Sequence, residues 1–163
     1  MKTLLYTHVL ISLIGIGSGL VVMIGLLSGK RLNGWTALFL LSTVLTSVTG
    51  LLFPFHGFTP GIGLAIISLV ILAIAIFARY LRKLINAWRW IYVVTAMLAL
   101  YLNVFVLVAQ LFQKVPALNA VAPTQSEPPF AITQLIVLLL FVLLTVLAVI
   151  KFRGWESHQR QKL

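Results

Sequence analysis

Of the 163 residues, 61% are apolar, against roughly 45–50% in soluble domains, so the composition is that of a membrane-embedded chain. Lys and Arg number 12 and the acids 2, Glu127 and Glu156, for a net charge of +10; without Asp, a Ser-His-Asp triad, an EF-hand, a Walker-B carboxylate and a paired-carboxylate hydrolase have no residues to use. The absence of Cys removes disulfides, iron–sulfur clusters, thiol nucleophiles and Cys-ligated zinc.

Five apolar runs follow one another, Leu4–Leu27, Trp35–Phe53, Gly61–Ala78, Trp90–Phe112 and Phe130–Ile150. Each is close to the roughly 20 residues that a helix needs to cross about 30 Å of hydrocarbon. The first run follows Lys2 but exceeds the apolar core of a signal peptide, and no Ala-x-Ala site accompanies it, so it is read as a spanning helix. Within it Gly15 and Gly19, and across its end Gly25 and Gly29, stand four apart, the separation that lets helix backbones approach closely in lipid. Gly15-Ile16-Gly17-Ser18-Gly19 lacks the third glycine of a phosphate-binding loop and lies inside a span, so no nucleotide site is expected there. In the second run Thr36, Thr43, Ser47 and Gly50 share one face, with Ser42, Thr46 and Thr49 beside it. Close packing of the first helix on the second, through Gly15 and Gly19 against Thr43, Ser47 and Gly50, is the expectation.

His8 lies about four residues inside the first run, while His56 follows Pro54, beyond the end of the second. Two imidazoles on one side suit haem or a divalent metal, but their depths differ and nothing completes a zinc site. Haem is therefore the alternative reading, and no cofactor is expected. The fourth run carries Thr95, Ala99, Asn103, Val106 and Gln110 at spacings of four, four, three and four, with Tyr92 and Gln113 extending the stripe. One helix face is thus polar or small at every depth, and an amide such as Asn103 near mid-membrane is costly without a partner.

The connection Gln113–Pro129 holds four prolines, Pro116, Pro123, Pro128 and Pro129, and is expected to be a Pro-rich outer loop without helix. It carries the outer carboxylate, Glu127, with Lys114 as its counter-charge, and an exposed pair of that kind is worth only about 0–1 kcal/mol. Residues 151–163 form a basic tail. Ten of the 12 Lys and Arg fall in the first and third loops and the tail, leaving Lys2 and Lys114 on the opposite side. Because cytoplasmic loops retain positive charge, the expectation is a single all-α, polytopic transmembrane bundle over 1–163, five spans, N-terminus outside and C-terminus cytoplasmic. The cations concentrate beside span ends, which points to anionic lipids and not to nucleic acid.

The segments Thr49–Pro60, Ala87–Ala96, Leu111–Leu118 and Gln125–Phe130 resemble a family of small, uncharacterised bacterial inner-membrane proteins. The resemblance implies a multi-pass inner-membrane location and brings no activity with it. From the residues themselves, three readings compete. The first is a non-catalytic membrane module, either an accessory or assembly subunit of a larger complex or an oligomeric pore around the stripe of the fourth helix. The second is the haem carrier using His8 and His56. An intramembrane enzyme is least supported, because Glu127 and Glu156 fall on opposite sides and no base, nucleophile and orienting group cluster.

Overall fold

The computed structural model describes residues 2–54, 57 and 59–160, with side chains as far as residue 152. It is helical throughout, with no strand among the described residues: α1 (Lys2–Leu27), α2 (Asn33–Leu51), α3 (Pro60–Ile76), α4 (Trp88–Lys114), the short α5 (Pro116–Val121) and α6 (Pro128–Arg160). A π-helical turn, Phe77–Leu81, prolongs α3. Five helices are long and apolar enough to cross a membrane, the composition of a multi-pass membrane protein.

Where α1 meets α2, small residues line much of the interior, and large apolar ones cover the exterior. α1 buries Gly15, Ser18, Gly19, Val22, Gly25 and Leu26 while Leu10, Leu13, Leu20 and Ile24 stay exposed. Of the five long helices α6 is the most exposed, presenting Leu135, Ile136, Leu139, Val142, Leu143 and Val146. Water would not tolerate so continuous an apolar exterior; lipid does, and packing there favours small residues that let backbones meet. α1 and α2 share the most extensive interface, and α4 packs on α1, α3 and α6. Its buried face, Tyr92, Val93, Ala96, Met97, Ala99 and Leu100, therefore forms much of the core.

Helix ends follow local rules. α1 stops at Gly29, whose φ of +68° is cheap for glycine alone; Lys30 N–H bonds Gly25 C=O at 2.7 Å and Gly29 N–H bonds Leu26 C=O at 3.1 Å, the paired closure of a Schellman end. Thr59 caps α3 by accepting from Ile62 N–H at 3.4 Å, with Pro60 next. Prolines likewise open α5 (Pro116) and α6 (Pro128, Pro129), where their missing N–H groups have no intrahelical acceptor to lose.

That rule corrects one expectation. The Gln113–Pro129 connection is not free of helix, since Pro116 starts the six-residue α5 instead of preventing it. The connection is also ordered against the bundle: Gln125 Nε2 donates to Ala109 C=O at 2.6 Å, Gln113 Nε2 to Gln125 Oε1 at 3.3 Å, and Phe112 meets Phe130 edge-on at 5.4 Å.

Candidate functional site

Polar side chains meet between helices in three groups. At mid-bundle, Asn103 of α4 donates through Nδ2 to Thr43 Oγ1 of α2 at 3.2 Å. The two reach each other because Gly15 of α1 leaves the space: a Cβ there would lie 3.3 Å from Ser42 Oγ and Thr43 Oγ1 and 3.6 Å from Asn103 Nδ2. Ser42, Thr43 and Ser47 are all buried, and the two serines back-bond to Leu38 and Thr43 C=O at 2.7 and 3.0 Å. One turn further along α1, a Cβ on Gly19 would stand 2.6 Å from Leu100 Cδ1 and 2.9 Å from the Phe39 ring.

The stripe of α4 is thus divided among different neighbours. Ala99 and Tyr92 are fully buried, Thr95 turns its hydroxyl back to Ile91 C=O at 2.7 Å, Gln110 is half-buried, and Gln113 serves the connection from α4 to α6. A further buried amide, Gln134 of α6, donates to Phe105 C=O at 3.1 Å; it lies in the first turns of a run so apolar that its single amide signals a helix contact.

At the end of the bundle holding the α1 N-terminus, His8 Nδ1 and Thr49 Oγ1 are hydrogen-bonded at 2.9 Å, and the imidazole meets the Phe53 ring at 5.3 Å, nearly perpendicular. Thr49 Oγ1 also donates to Leu45 C=O at 2.7 Å, which leaves the hydroxyl oxygen to accept from the imidazole Nδ1–H. Gly50 sits beneath the ring, 3.5 Å from Cε1 to an added Cβ. His56 lies outside the described residues, and no group of three or more His, Cys, Asp or Glu suited to a metal occurs among those described.

Glu127, expected opposite Lys114, is instead turned into its own loop. Its Oε1 accepts from Thr124 N–H at 3.2 Å and Thr124 Oγ1 at 2.8 Å, and its Oε2 accepts from Ser126 N–H at 3.1 Å. Short local bonds to a neighbouring turn outcompete a long, entropically expensive Lys side chain. Desolvation, the largest single influence, raises the carboxyl, but the Thr124 hydroxyl and the backbone N–H donors together outweigh it and lower Glu127 from its ordinary value. The turn is accordingly stabilised above that value and loses the contribution as pH falls through the lowered value. A carbon-detected titration of Glu127 should give a midpoint below that of a model carboxyl, and Thr124→Ala should move it upward.

The third cluster was not anticipated. Arg79, in the π turn, is 8% exposed. Its Nη2 donates to Arg31 C=O at 2.9 Å and to Asn33 Oδ1 at 2.7 Å, and its guanidinium lies 5.0 Å from the Tyr92 ring centroid. Thr36 and Arg79 flank the Tyr92 hydroxyl without reaching hydrogen-bonding geometry, and Arg79 Nη1 is likewise buried without an acceptor among the described residues. The periodic signal was present: Ser68, Leu72, Ala75 and Arg79 are spaced four, three and four, one buried helix face that ends on a cation.

No protein-family profile, curated protein or solved structure matches the chain.

Proposed function

We propose that this chain is a non-catalytic, multi-pass subunit of a bacterial inner membrane, acting through assembly with other membrane components or with itself. The observation that carries the reading is the use of the α4 stripe inside the chain: Asn103 is spent on Thr43, with Ala99 and Tyr92 fully buried. A stripe whose Tyr92–Asn103 part is taken up by packing favours an accessory or assembly role over a pore. Wild-type proteoliposomes should be tight to water, protons and common ions, while mild-detergent extraction should recover the protein in a complex heavier than one chain. Ion flux above empty liposomes that Asn103→Leu abolishes would reverse the preference. Interhelical hydrogen bonds in membranes average about 0.6 kcal/mol, so Asn103→Leu should change stability by less than about 1 kcal/mol and leave assembly intact.

For orientation we favour N-terminus outside and C-terminus cytoplasmic, supported by Lys30, Arg31, Arg79, Arg82, Lys83, Arg89 and Lys151 falling at one end of the spans. The quoted resemblance supports the bacterial inner membrane. A cysteine at Ser126, exposed in the α5–α6 connection, should react with an impermeant thiol reagent in intact cells; labelling only after lysis would invert the assignment.

A further inference from the structure

We infer that the turn between α3 and α4 is a headgroup site for an anionic phospholipid. A cleft of about 290 Å³ opens there, lined by Leu81, Arg82, Lys83, Ile85, Asn86 and Trp88. It is a built surface. The Arg82 guanidinium is held over the Trp88 ring, 5.2 Å from its centroid, and Trp88 in turn abuts Phe77 at 5.1 Å. Beneath it, Leu84 is 3% exposed, and its N–H bonds Ala78 C=O at 3.1 Å, which ties the loop to the π turn. The chain pays for this shape with non-glycine residues at positive φ, namely Lys83 at 51°, Leu84 at 61° and Asn86 at 52°.

The cleft is two-faced. Arg82, Lys83 and the Asn86 amide supply donors suited to a phosphodiester and a headgroup hydroxyl. Leu81 and Ile85 expose 65% and 58% of their surface beside them, which an acyl chain would cover and a water-soluble anion would not. The location, at the end of the third and the start of the fourth apolar helix, is the depth at which Trp and phosphate groups meet. Glu127, one of only two carboxylates in the chain, is spent in the connection at the other end of α4. Charge, apolar rim and depth together select a lipid phosphate over free phosphate. The inference rests on the membrane-embedded reading above, whose own failure would show separately, as release of the chain from membranes by alkaline carbonate.

The test is native mass spectrometry of the delipidated full-length protein in neutral detergent, titrated with phosphatidylglycerol, phosphatidylcholine or inorganic phosphate. Phosphatidylglycerol should bind at about 25-fold lower concentration than phosphatidylcholine, about fivefold for each of the two cations. Each cation near a membrane surface contributes about fivefold, so Arg82→Gln with Lys83→Asn should weaken phosphatidylglycerol roughly 25-fold and leave phosphatidylcholine unchanged. Asparagine tolerates the positive φ, and Lys83→Asn alone, expected to cost about fivefold, serves if the double variant does not fold. Lys30→Gln with Lys151→Gln removes as much charge from the same end and should alter binding less than twofold. Equal loss in that control pair would show diffuse attraction and overturn the site. Unchanged binding in the cleft variants, or displacement of the lipid by millimolar inorganic phosphate, would overturn it as well.

Discussion

Gly19→Leu is expected to destroy the α1–α2 interface. The clash begins at the first added atom, since a Cβ at this position would already lie 2.6 Å from Leu100 Cδ1 and 2.9 Å from two Phe39 ring carbons. Side-chain ends move cheaply only where there is room, and here Leu100 and Phe39 are each 1% exposed. Overpacking by single methylenes typically costs about 1–3 kcal/mol, so a whole isobutyl group should force α1 away from α2 and α4 and cost about 3 kcal/mol or more. Unfolding of the purified protein in mixed micelles should show the loss, with Gly19→Ala intermediate. Gly17 is the internal control, because a Cβ there meets nothing within 4 Å and Gly17→Leu should be nearly neutral. Equal tolerance at both positions would mean that the α1–α2–α4 contact does not hold the bundle.

The contrast between Gly17 and Gly19 also shows how far the primary structure is readable. Helix number and approximate limits follow from a single energetic demand, the satisfaction of every backbone group in hydrocarbon, and this demand marks each span with apolar residues regardless of its neighbours. Small residues at a spacing of four mark a face for close approach, which singles out Gly15 and Gly19. The same spacing says nothing about which α4 side chain fills the gap, so the partnership of Asn103 with Thr43 becomes visible only once three helices converge. The Gln113–Pro129 connection misled for a different reason: proline stops a helix that precedes it and starts one that follows, and Pro116 does the second. Glu127 found its partners one and three residues away because local geometry defeats a distant charge. Arg79 stayed hidden because cations at span ends are ordinarily solvated; its burial depends on the π turn, a feature of backbone register that hydropathy does not encode.

Arg79→Met should loosen the joint between α1, α2 and α3. Opposing effects must be weighed, since removing a buried cation relieves desolvation and a well-packed apolar replacement is sometimes neutral. Here the guanidinium is not a member of an exchangeable ion pair but a clamp. Its Nη2 joins the carbonyl of Arg31, next to Leu32 at a φ of 31°, to the side chain of Asn33 at the start of α2. Methionine fills the volume and meets neither acceptor. A desolvated cation–π contact is worth about 2 kcal/mol, and an orphaned buried acceptor costs about 1–3 kcal/mol; relief of one unsatisfied Nη1 offsets part of this. The net expectation is a loss of about 2 kcal/mol. Arg79→Lys should recover less than half, because an ammonium cannot reach both acceptors while stacking on Tyr92. A double-mutant cycle with Asn33→Ala separates the clamp from bulk: if Nη2 joins the two helices, the losses are sub-additive by about 1 kcal/mol, whereas strict additivity would reduce Arg79 to a filler of space. Faster amide exchange confined to residues 28–36 in Arg79→Met would place the loosening at the turn that the guanidinium spans.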